Sequence, residues 1–94
     1  MASSTAVSQE DAEILALRAL TYLAGETERL STFLSLTGLA PDDLLERAGD
    51  REVQVAVLGH LMGHESELLV FASSARVPPD HIALAYHRLT PSSA

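Results

Sequence analysis

Residues 11–48 of this chain resemble residues 49–86 at an offset of 38. At that offset Leu20 meets Leu58, Leu23 meets Leu61, Gly25 meets Gly63, Leu30 meets Leu68 and Phe33 meets Phe71. Ser35 then meets Ser73, Pro41 meets Pro79 and Asp42 meets Asp80. Conservative pairs lie between them, among them Leu15 with Val53, Leu39 with Val77 and Leu44 with Ile82. An internal repeat constrains architecture before any single motif does, because each unit must bury its open face on a neighbour. A 38-residue unit is too small to close a good core, so two units packed face to face about a pseudo-twofold axis are expected. A six-helix antiparallel bundle without true symmetry is the alternative.

Helical periodicity and stop residues divide each unit into three helices. Ser8, with Asp11 three residues on, reads as an N-cap with a capping-box-like partner. Ala12, Leu15, Ala16, Ala19, Leu20 and Leu23 follow at helical spacing until Gly25. A second helix spans about Thr27–Thr37, with Leu30, Phe33 and Leu34 inward and Gly38 as its stop. Pro41 opens a short third helix, with Asp42 and Asp43 at the positive end of its dipole, ending near Gly49. Asp50 is expected to cap the fourth helix, which carries Val53, Ala56, Val57, His60 and Leu61 inward to Gly63. Leu68, Phe71, Ala72 and Ala75 mark the fifth, and Pro79, Ile82, Ala85, Tyr86 and Leu89 the sixth. All five glycines read as helix-end residues, and no segment alternates with period two. The fold class is all-α: six short helices in one domain over residues 10–90, with flexible tails at 1–9 and 91–94. Twelve residues in equivalent slots are expected to be buried: Leu20, Leu23, Leu30, Phe33, Leu39, Leu44, Leu58, Leu61, Leu68, Phe71, Val77 and Ile82.

Composition narrows the chemistry. The apolar fraction is 47%, yet only Phe33, Phe71, Tyr22 and Tyr86 are aromatic, so the core is aliphatic. Without cysteine there is no disulfide, no thiolate zinc site and no cysteine nucleophile. Net charge is −7, and the six basic residues are dispersed arginines. A phosphate backbone needs a basic face, so neither nucleic acid nor an anionic membrane is expected as a partner. The start of the chain has no basic or apolar targeting segment, and no apolar run approaches a membrane span, which predicts a cytoplasmic protein.

The stretch Phe33-Leu34-Ser35-Leu36-Thr37-Gly38-Leu39-Ala40-Pro41-Asp42-Asp43-Leu44 carries a resemblance. So does its frame, Ala16 to Leu20 before it and Leu68 to Phe71 and Pro79 after it. Over residues 10–90 the chain resembles a bacterial family of unknown function, domain 3572 in its series (DUF3572), best known from alphaproteobacteria. That resemblance implies a small, soluble, all-helical bacterial protein. It supplies no activity, cofactor or catalytic residue to transfer.

Candidate sites are few. His60 and His64 are four apart, and two such histidines on an unbroken helix can share a zinc ion. Gly63 falls between them, and the repeat gives each another place: His60 in the slot of Tyr22 at the core edge, His64 in the slot of Glu26 at a helix start. They are weak metal candidates, and no metal or other cofactor is expected. Ser73, Ser74, Asp80 and His81 do not form the strained elbow of a serine hydrolase, and the serines read as a solvated helix face. The chain is not expected to be an enzyme.

The remaining signal lies where the two units disagree. Ile14 faces Glu52 in the alignment, Leu36 faces Ser74, Leu69 faces Ser31, Val70 faces Thr32 and Leu84 faces Glu46. An apolar residue in a slot the other unit fills with a polar one is not required by the unit itself. It must close the seam between units or meet a partner. Leu36, Leu69 and Val70 are the candidate contact residues, for a protein partner or a homodimer. The expected function is a protein–protein interaction or adaptor module, with a small-ligand or metal-binding domain using the cleft between repeats as the alternative.

Overall fold

A computed structural model describes residues 7–90, and both expected tails fall largely outside those residues. Among them the chain is helix throughout: α1 Gln9–Ala24, α2 Thr27–Thr37, α3 Pro41–Glu46, α4 Arg51–Met62, α5 Glu65–Ala75 and α6 Pro79–Leu89. The breaks fall where glycine and proline chemistry places them. Ser8 accepts from the Asp11 amide at 3.0 Å, as an N-cap should. Asp50 holds the N-cap position of α4 but does not cap it with its side chain. Its carboxylate instead accepts from Arg47 Nε at 2.9 Å, because a guanidinium within reach outcompetes a neutral amide as donor.

Helices α1, α4 and α6 pack against one another and form the centre. Helix α2 pairs with α1 and also reaches α4, and α5 pairs with α4 and also reaches α1. Exchanging the two halves of the chain leaves these contacts unchanged. The third helices differ. Helix α6 buries Ile82, Ala85 and Leu89 between α1 and α4, whereas α3 stops after six residues and buries only Leu44. The sequence explains the difference: the slot of Ala85 is held in the first unit by Arg47, which cannot enter an apolar centre unpaired, and the slot of Leu89 falls beyond that unit.

The core contains Leu23, Phe33, Leu44, Leu58, Leu61, Phe71 and Ile82, as expected from the equivalent slots. The other five expected residues, Leu20, Leu30, Leu39, Leu68 and Val77, are half-buried against its edge. They lie in α2, α5 and the turns, or on the flank of α1, where helices cover the centre from one side only. Small residues fill the middle in their place, with Ala12, Ala16, Ala19 and Ala85 buried where α1 and α6 approach each other.

Gly59 lies inside α4, not at a helix end. A Cβ there would stand 3.1 Å from Cε1 of Tyr86, so the glycine is what lets the α6 tyrosine lie against the α4 backbone. Gln54, in the slot of Ala16, is buried, and its Nε2 lies 3.4 Å from the Gly49 carbonyl.

Candidate functional site

The two halves meet at a groove of ≈ 360 Å³ between α2 and α5. One wall is Glu28, Arg29 and Thr32 of α2, and the other is Ser66, Glu67 and Val70 of α5. These are the same three slots of the repeat, one set on each wall. Tyr22 and Glu26 close one end. In each wall the residues recur at helical spacing of three and four, which aligns them on one face.

The aromatic contacts beside the groove obey the same exchange. Tyr22 of α1 packs on Phe71 of α5 with ring centroids 5.5 Å apart, and His60 of α4 meets Phe33 of α2 edge-on at 5.3 Å. Arg29 places its guanidinium 4.1 Å above the Tyr22 ring, and in the equivalent position Glu67 places Oε1 3.6 Å from His60 Nε2. The unit with a π face carries the cation, and the unit with an imidazole N–H carries the carboxylate. The two pairs differ at both members.

The matching is incomplete. At 3.6 Å the His60–Glu67 approach is too long for a hydrogen bond, and both atoms are buried without any other partner. The Nε of Arg29 is likewise buried and unpartnered, while its Nη2 lies 3.9 Å from Glu26. The His60 side chain is 3% exposed. Its pKa is lowered, chiefly by burial and further by neighbouring His64, with Glu67 opposing in part. At neutral pH the imidazole is therefore uncharged, and Glu67 gains no cationic partner from it.

His60 and His64 do come together, but as a stack, with ring centroids 4.2 Å apart and planes 28° from parallel. The Nδ1–H of His64 donates to the His60 carbonyl at 2.8 Å. Ring-nitrogen lone pairs lie in the ring planes, so rings stacked in this way cannot both point at one ion at the ~2.0–2.1 Å that zinc requires. Among the described residues no three His, Asp or Glu side chains form a metal-holding group. Ser73 and Ser74 are exposed on α5, and neither hydroxyl is hydrogen-bonded to a histidine among the described residues.

All five apolar residues at the disagreeing slots are exposed: Ile14, Leu36, Leu69, Val70 and Leu84. Leu69 is 47% and Val70 55% accessible, so neither closes a seam. Val70 is part of the groove wall, and Leu36 lies one turn beyond Thr32 on the opposite helix. Glu26, Glu28, Arg29 and Glu67 were not evident as site residues from the sequence. The signal that could have found them is the charge reversal between Arg29 and Glu67 in equivalent slots.

A second opening, ≈ 410 Å³, lies at α1 between Ile14, Arg18, Val77 and His81. Its repeat counterpart, at Leu39, Glu52 and Val53, is only ≈ 140 Å³. There Arg47 occupies the space, bridging Asp50 at 2.9 Å and Glu52 at 2.7 Å.

The family described as a protein of unknown function, DUF3572, matches residues 9–92 of the chain. The chain belongs to the DUF3572 family. No curated protein and no solved structure matches it. For this DUF3572 member the matched span runs from the first residue of α1 past the end of α6, so the family's unit comprises both halves of the repeat and the groove between them. Among the described residues, no helix of the DUF3572 fold is long and apolar enough to cross a membrane.

Proposed function

We propose that this DUF3572 protein is a protein–protein interaction or adaptor module, not an enzyme, that works in the bacterial cytoplasm. One observation carries the reading. Five larger apolar side chains whose counterparts are polar, Ile14, Leu36, Leu69, Val70 and Leu84, are on the surface, and Leu69 is next to Val70, which lines the groove. Neighbouring exposed apolar groups on a strongly acidic surface mark a contact site, because solubility selects against them elsewhere. The groove is wide open and its walls are largely charged, unlike the enclosed, mostly apolar pockets that hold small molecules. That favours a partner over a small ligand in the cleft.

The test is a Leu69→Ser, Val70→Thr double variant compared with wild type in pull-down and size-exclusion experiments. The expected result is loss of partner or self-association with an unchanged melting temperature. A variant that melts earlier yet keeps every association would overturn the reading.

A further inference from the structure

We propose that the groove between α2 and α5 docks a basic amphipathic peptide segment, with a Lys or Arg side chain against Glu67 and apolar side chains on Val70 and Leu69. This rests on the interaction reading above and names the chemistry of the partner.

Three carboxylates, Glu26, Glu28 and Glu67, border the groove, against a single cation, Arg29. That cation lies over the Tyr22 ring at 4.1 Å and 3.9 Å from Glu26, with its Nε enclosed and unpartnered. The Glu67 carboxylate is different. Its Oε1 is buried with no donor, while the side chain as a whole is 31% exposed along the groove. A carboxylate with one side removed from water, and with no arginine in ion-pair contact among the described residues, carries an uncompensated desolvation cost. His60, whose Nε2 lies 3.6 Å from that oxygen, has a side chain only 3% exposed and is uncharged at neutral pH. A cationic side chain arriving from the groove meets the exposed part of this carboxylate, not the enclosed Oε1, and balances its charge.

The apolar half of the site adjoins it. Glu67 and Val70 are three residues apart on α5, one turn along the same face, and Leu69 flanks Val70. A segment that presents a basic residue beside apolar ones matches this order. The net charge of −7 steers such a segment towards the domain and repels anionic polymers and lipid surfaces.

The experiment uses the full chain and a fluorescein-labelled lysine–leucine amphipathic peptide, read by anisotropy. A glutamate–leucine peptide of equal length and the polyamine spermine serve as rival probes. The basic peptide should bind, the acidic one should not, and spermine should compete poorly. Glu67→Gln should weaken binding at least about tenfold, the cost of removing one member of a desolvated charge pair. Glu28→Gln, an exposed change that cannot disturb the core, should weaken it by a smaller factor. Glu10→Gln removes the same charge about 18 Å away along α1 and should change affinity less than about twofold. Equal losses in Glu67→Gln and Glu10→Gln, or equal competition by spermine, would show diffuse charge attraction and overturn the proposal. So would unaltered binding in both Glu67→Gln and Glu28→Gln. If association with the cellular partner depends on Leu69 and Val70 while the basic peptide fails to bind, the interaction reading stands and the partner chemistry proposed here does not.

Discussion

Arg76 ends α5 at φ 62°, in the slot where Gly38 ends α2 at φ 76°. These are the two left-handed residues among those described, and they stand 38 positions apart. The two turns share this geometry although only the first has the residue suited to it. Arg76 makes no side-chain hydrogen bond or ion pair among the described residues that would hold it there.

Left-handed backbone costs an L-residue about 1–2 kcal/mol, against a smaller entropic cost of glycine in the unfolded chain. Arg76→Gly should therefore stabilise the domain by up to about 1 kcal/mol, and Gly38→Ala should destabilise it by about 1 kcal/mol. Chemical denaturation measures both. A clear loss of stability in Arg76→Gly would mean that the arginine side chain contributes contacts the geometry does not show.

Phe33 and Phe71 are the two largest enclosed side chains, and each meets a ring from the other half of the chain. Truncating either to alanine should cost about 3–5 kcal/mol, a large share of the roughly 5–15 kcal/mol typical of a domain. Phe33→Ala also uncovers His60. Thermal melting that matches wild type in either variant would remove that ring from the core.

The buried His60 makes stability depend on pH. In the unfolded chain the imidazole takes up a proton near about pH 6.5, whereas in the folded chain it does so only at lower pH. Between those two points the unfolded state binds more protons, so stability falls as pH drops through this window and rises as pH increases. His60→Leu should flatten that part of the profile, seen as a smaller melting-temperature difference between pH 7 and pH 5 than in wild type. An unchanged difference would mean that His60 is protonated in the folded state.

Untagged protein should carry no stoichiometric zinc, and His60→Ala with His64→Ala should leave its metal content unaltered. The stacked rings motivate this. One equivalent that survives dialysis and disappears in the double variant would contradict it.

Much of the fold was legible because the information is local. Helix lengths follow from apolar spacing, and their ends follow from Gly25, Gly38, Gly63, Pro41 and Pro79, whose backbone preferences act within a few residues. Where a signal depended on which side chains meet in the folded chain it misled. Gly59 resembled a helix end until Tyr86, 27 residues on, was seen against it. Asp50 resembled a side-chain cap by its place before α4, whereas in the folded chain its carboxylate turns to Arg47, three residues before it.

The sequence by itself determined six helices, their order, and the equivalent slots Phe33 and Phe71 that anchor each half. Only the folded chain shows how far Leu20, Leu30, Leu39, Leu68 and Val77 are covered, and that Arg29 and Glu67 line one groove. The physical reason is that backbone stops and helical periodicity are properties of neighbouring residues. Burial and electrostatic pairing depend on which surfaces two helices turn towards each other, and a side chain shows no more than a preference for that until the partner is in place.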